Sequence, residues 1–74
     1  MTTPAPSRRQ PLAVGAQIRR RRRARWTTLS ELASACEIDI SALSKIERGL
    51  RDPSLRQMER IASALGTSLL ALLR

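Results

Sequence analysis

Helix-capping signals recur along this chain and divide it into short helical segments. Thr28-Leu29-Ser30-Glu31 and Ser54-Leu55-Arg56-Gln57 both fit the capping box, in which an N-cap hydroxyl and a side chain three residues later bond each other's amide hydrogens. Asp39 is a further N-cap residue, and Gly49 and Gly66 suit the left-handed position that follows a helix. Because no segment has the pattern of a strand, the chain is predicted to be all-α.

These signals place five short helices along the chain. The predicted segments, caps included, are residues 11–25, 28–36, 39–48, 54–65 and 68–73. Residues 1–10 combine proline, threonine, serine and charge, and they are expected to form a disordered basic N-terminal arm. Residues 11–74 are expected to fold as one compact domain.

The charge distribution favours a polyanionic partner. The net charge is +8, yet residues 1–30 hold eight arginines and no acid, whereas the rest of the chain is balanced. Such one-sided charge suits nucleic acid or an anionic membrane surface. No apolar run reaches the length of about 20 residues that a membrane span needs. The single cysteine, Cys36, excludes an internal disulfide and is typical of a reducing cytoplasm.

Catalysis and metal binding are not expected from this composition. The chain has no histidine, and its six acidic residues are scattered without metal-ligand spacing or a nucleophile beside a base. We therefore predict no enzyme activity, no metal, no cofactor and no small-molecule ligand.

The second and third predicted helices form the most informative pair. Their apolar residues have the spacing that lets two helices cross steeply over a small core: Leu32, Ala33, Cys36, Ile38, Leu43 and Ile46. The residues left on the outer face of the third helix are Ile40, Ser41, Ser44 and Lys45. That face is short, polar and free of acids, so it suits a DNA major groove.

At this point the sequence resembles the lambda-repressor-like helix-turn-helix domain of the Cro/C1 type. The resemblance covers residues 12–73 and is carried by these stretches: Gly15-Ala16-Gln17-Ile18-Arg19, Thr28-Leu29-Ser30-Glu31-Leu32-Ala33, Leu43-Ser44-Lys45-Ile46-Glu47-Arg48-Gly49, Asp52-Pro53-Ser54-Leu55 and Ile61-Ala62-Ser63-Ala64-Leu65-Gly66-Thr67-Ser68. It implies a five-helix domain that binds double-stranded DNA, with the third helix as the recognition helix. Two departures matter: Glu37 stands where the family usually has glycine, and Leu29 where many members have glutamine.

The resemblance also implies residue roles. Base contacts would come from Ile40, Ser41, Ser44 and Lys45. Phosphate contacts would come from Thr27 and Thr28 at the start of the second helix and from Arg48 and Arg51 after the third. From the arginine run, Arg19 and Arg25 are expected to add phosphate contacts.

Three further expectations concern packing. Arg22 and Glu47 lie on the inward stripes of the first and third helices, so they should form an ion pair, as the matching residues do in this family. Trp26 is expected to pack across the junction of the first two helices. The leucines of the last helix exceed what a monomer of this size buries on one short face, which favours a homodimer interface made of Leu69, Leu70, Leu72 and Leu73.

The expected function is that of a cytoplasmic, sequence-specific transcription regulator, a repressor that binds a palindromic operator as a homodimer. Stand-alone relatives of this size include phage repressors and restriction-modification controller proteins. Two alternatives stay open: an antitoxin-type protein-interaction module, and the DNA-binding fragment of a larger ligand-sensing regulator. The operator sequence, the regulated genes and the choice between repression and activation do not follow from the sequence.

Overall fold

Five helices make up the part of the chain that the structure describes. A computed structural model describes the backbone of residues 9–73 and the side chains of residues 14–73. The helices are α1 (Arg9–Ala24), α2 (Leu29–Cys36), α3 (Ile40–Glu47), α4 (Leu55–Ala64) and α5 (Leu69–Leu72). No strand occurs among these described residues, so the all-α prediction is confirmed. No helix in this part of the chain is long and apolar enough to cross a membrane.

The helix boundaries follow the capping residues. Thr28 and Ser54 both form complete capping boxes, and Asp39 and Ser68 cap α3 and α5. The first helix differs from expectation because it begins at Arg9, two residues before the expected start. Pro11 still lies in the first turn, where a missing amide hydrogen leaves no helical bond unmade. Residues 1–8, the rest of the predicted arm, lie outside the described residues.

The core joins all five helices. Its fully buried side chains are Ile18, Leu32, Cys36, Leu43, Ile46, Ile61 and Leu72. Helix α3 packs against both α1 and α2, α4 packs against α2, and α5 closes the core against α4 and α1. With α3 held by two neighbours, one of its sides is buried and the other faces outward.

Gly15 allows α1 to approach α3 closely. A Cβ atom at this position would lie 2.8 Å from the carbonyl oxygen of Glu47 and nearer still to that of Ile46. Both neighbours are backbone atoms, which cannot move aside as a flexible side chain can. Only glycine therefore fits at this crossing.

Candidate nucleic-acid interface

The outward side of α3 carries the predicted reading residues. Ile40, Ser41 and Lys45 are exposed there, whereas Ser44 is half-buried. Buried residues on the opposite side of α3 fix its orientation: Ala42, Leu43, Ile46 and Glu47. The structure therefore brings the four residues to one helix surface, with Ser44 less accessible than the others.

Asp39 adds an acid at the start of this surface, which the sequence had suggested was free of acids. The backbone N–H of Ser41 donates to Asp39 Oδ2 at 3.1 Å, and the Ser41 hydroxyl donates to the same oxygen. The Ser41 hydroxyl, its backbone N–H and that of Ala42 lower the pKa of the Asp39 carboxyl, helped by the nearby charge of Arg51. In this geometry the Ser41 hydroxyl proton is already engaged, so its oxygen is left to accept.

The start of α2 presents a helix N-terminus beside α3. Glu31 N–H donates to Thr28 Oγ1 at 3.0 Å, and Thr28 N–H donates to Glu31 Oε1 at 2.8 Å. The Thr27 hydroxyl donates to the Arg25 carbonyl at 3.3 Å. The remaining first-turn amides of a helix have no partner within it, and they suit a phosphate group.

Arg22 connects the start of α2 to the end of α3. Its Nε donates to Glu47 Oε2 at 2.7 Å and one terminal nitrogen donates to Glu47 Oε1 at 3.0 Å. The other terminal nitrogen donates to the Thr27 carbonyl at 2.9 Å. The hydrogen bond to Glu47 raises the pKa of Arg22 against the opposing effect of burial. One guanidinium thus links α1, the end of α3 and the segment that leads into α2.

An open basic cleft lies between α1 and the end of α3. Its volume is about 590 Å³, and it is lined by Ala16, Arg19, Arg20, Arg23, Glu47 and Arg48. Sequence reasoning named Arg19 and Arg48 but missed Arg20 and Arg23. The signal was present in the sequence, because residues at spacings of three and four share one side of a helix. Four guanidinium groups around one cleft are suited to an anion such as a DNA phosphate.

Two residues of the junction after α1, Arg25 and Trp26, lie outside the basic cleft. Arg25 rests over the turn between α4 and α5, where a Cβ at Gly66 would lie 3.1 Å from an Arg25 terminal nitrogen, and it does not line the basic cleft. Trp26 is 91% exposed, so the expectation that it packs between the first two helices is wrong. The physical reason is its left-handed backbone, with φ of 55°, at the end of α1.

The leucines of α5 divide between core and surface. Leu72 is fully buried in the core, so its assignment to a dimer interface is wrong. Leu70 and Leu73 are 62% and 51% exposed, and Leu69 is half-buried. Three of the four leucines therefore remain available to a second chain.

Glu37 ends α2 in the left-handed conformation, at φ 59° and ψ 42°. The family glycine that it replaces would adopt this conformation without strain, whereas a side chain costs roughly 1 kcal/mol. Its carboxylate lies 3.8 Å from Arg60 on α4, but both side chains are too exposed for this pair to offset much of that cost.

Comparison with known proteins assigns the family. A helix-turn-helix family model matches residues 18–72, which is most of the chain. The chain belongs to the Cro/C1-type helix-turn-helix family. Family members are DNA-binding transcription regulators, and this regulator shares their five-helix fold.

Solved structures of several regulators resemble this helix-turn-helix protein. The clp gene regulator ClgR from Corynebacterium glutamicum is 34% identical, with a TM-score of 0.84 over 86% of this chain and 68% of that one. The biofilm master regulator SinR, solved in complex with DNA, is 35% identical, with a TM-score of 0.79 over 82% of this chain and 98% of that one. The restriction-modification controller protein C.AhdI from Aeromonas hydrophila is 29% identical, with a TM-score of 0.82 over 84% of this chain and 94% of that one. A search of curated proteins finds no significant match.

Proposed function

We propose that this regulator represses transcription in the cytoplasm by binding a palindromic operator as a homodimer. The observation that carries the proposal is the exposed side of α3, from which Ile40, Ser41 and Lys45 project while the other side is buried. A helix held in this way fits the major groove, where the edges of all four base pairs can be distinguished.

Phosphate contacts from the elements around α3 would fix it in the groove. The amide hydrogens at the start of α2, together with Thr27 and Thr28, would hold one phosphate. The cleft lined by Arg19 and Arg48 would hold another, and the exposed Arg51 would add a third contact. Such contacts set register and orientation but carry no sequence information themselves.

The apolar surface of α5 supports assembly into a dimer. Leu70 and Leu73 are both more than half exposed, and the half-buried Leu69 lies on the same short helix. A two-fold interface there would cover them, and two-fold symmetry in the protein calls for a palindromic operator. Repression requires only that the bound dimer occupy a promoter, since polymerase is then excluded sterically.

The test is a selection of bound duplexes from a random pool, followed by sequencing. We expect enrichment of an inverted repeat whose half-sites lie about 34 Å, one DNA turn, apart. Placed over a reporter promoter, that sequence should lower expression as the regulator is induced. Absence of any enriched sequence would contradict specific binding, an enriched site without symmetry would contradict the dimer, and a rise in expression would contradict repression.

A further inference from the structure

Trp26 is unfavourable at its position for two reasons: its backbone is left-handed and its apolar ring is exposed to solvent. Its φ of 55° lies in the left-handed region, which bulky residues rarely adopt. The bonds around it are those of a helix end that normally carries glycine: Trp26 N–H donates to the Arg23 carbonyl at 3.0 Å, and Thr27 N–H donates to the Arg22 carbonyl at 3.1 Å. Its indole is also 91% exposed. Neither the fold nor the core gains from a tryptophan here, which points to a role outside the chain.

The indole stands on a rigid support. Arg22, which holds Glu47 with two hydrogen bonds, donates a third to the carbonyl of the next residue after Trp26, Thr27. Trp26 is therefore presented at a fixed place rather than on a loose loop. Thr28, the N-cap of α2, is only two residues further, so the two Cα atoms lie at most about 7 Å apart.

The charge around Trp26 selects its partner. Residues 19–25 contain six arginines and no acid, and Arg22 is paired with Glu47. An apolar or basic protein surface gains nothing from such surroundings, whereas a polyanion does. On DNA, the group beside each phosphate is a deoxyribose, whose C–H face is apolar and packs against an aromatic ring.

We propose that Trp26 packs its indole on the deoxyribose beside the DNA phosphate held at the start of α2. This inference rests on the proposed function, because it requires α2 to meet the DNA backbone. It adds a contact at the edge of the interface, outside the recognition helix.

Trp26→Gly separates this role from any structural one. Glycine removes the left-handed strain, so the free protein should gain about 4–8 °C in Tm. The same variant should lose operator affinity by about tenfold, because the ring no longer covers the sugar. Trp26→Phe should recover most of that affinity. Glu37→Gly is the matched control: among the described residues, Glu37 is the other non-glycine residue with a left-handed backbone, so the variant should raise Tm without weakening DNA binding.

Fluorescence gives a direct readout, because Trp26 is the only tryptophan and the chain has no tyrosine. Its emission should be open to acrylamide quenching in the free protein and protected when operator duplex is added. Binding itself is followed separately, by the anisotropy of dye-labelled duplex.

The outcomes are distinct. If the wild type binds the duplex but its indole stays open to acrylamide, or if Trp26→Gly binds as tightly as the wild type, this inference is wrong and the proposed function stands. If the indole is already protected without DNA, it belongs to a contact between protein chains, and the inference is again wrong. If the wild type binds no duplex, both proposals fail.

Discussion

Arg22 and Glu47 form a two-point ion pair across the α1–α3 contact, with N···O distances of 2.7 and 3.0 Å. The two side chains are only 12% and 5% exposed. Since Arg22 also donates a hydrogen bond to the Thr27 carbonyl, this pair connects the end of α3 to the start of α2. It therefore sets the spacing between the proposed reading surface and the proposed phosphate contacts.

Removing one partner of this ion pair should strongly destabilise the protein. Glu47→Ala leaves the Arg22 guanidinium largely buried without its carboxylate, so we expect a loss of about 3–5 kcal/mol in the free energy of unfolding. Glu59→Ala is the matched control, since it deletes an exposed acid of the same charge from α4. Thermal melting followed by circular dichroism measures both. A Glu47→Ala protein that melts at the same temperature as the wild type would show that the ion pair contributes little to stability.

Gly15→Ala offers a test in which two effects predict opposite changes in the free energy of unfolding. Helix propensity alone says that Gly→Ala inside a helix stabilises by about 0.5–1 kcal/mol. Here the new Cβ would meet the backbone carbonyl of Glu47 at 2.8 Å, so we expect Gly15→Ala to destabilise by about 1–3 kcal/mol. Denaturant unfolding decides between them, and a more stable variant would rule out the close crossing.

Local signals in the sequence predicted the helices because capping is decided within four residues. Thr28 with Glu31, and Ser54 with Gln57, form the expected bonds. The errors concern positions fixed by distant contacts. Trp26 is turned outward at a helix end that Arg22 holds in place, and Arg22 is itself bound to Glu47, 25 residues away.

Packing roles were equally hard to assign. Leu72 could not be told from its neighbouring leucines without knowing how α5 lies against α1 and α4. Gly15 belongs to a stretch that resembles the family, but its packing role was not predicted, because a glycine in a helix looks destabilising until the facing backbone is known.

The leucines of α5 should separate stability from assembly. Leu72→Ala empties space in the core and should cost about 2–5 kcal/mol of unfolding free energy. Leu70→Ser changes an exposed side chain, so it should keep its melting curve as a monomer while weakening the dimer. Analytical ultracentrifugation of the wild type and Leu70→Ser measures the second effect. A wild type that stays monomeric at high micromolar concentration, with and without DNA, would refute the interface.

The last prediction separates base reading from phosphate holding. Lys45 is exposed on the outward side of α3, one turn beyond Ser41, and its ammonium can donate to guanine O6 and N7 in the major groove. Lys45→Ala should therefore cost about 1–3 kcal/mol on the best site and relax the preference at one base pair. Arg51, exposed in the segment after α3, should instead meet phosphate. Arg51→Ala should weaken all sequences alike and reduce the salt dependence by about one unit of slope.

Titrations of each variant against operator and scrambled duplex at several salt concentrations measure these differences. Arg56→Ala is the control for lost positive charge, because Arg56 lies on α4 in the groove it shares with Ala35 and Glu59 rather than beside α3. Arg56→Ala should leave the preference between sequences unchanged. It should also lower the affinity for DNA less than Arg51→Ala does. If Lys45→Ala weakens operator and scrambled duplex equally, Lys45 holds phosphate. Direct reading would then fall to Ile40, Ser41 and Ser44, with the Ser41 oxygen limited to accepting while Asp39 holds its proton.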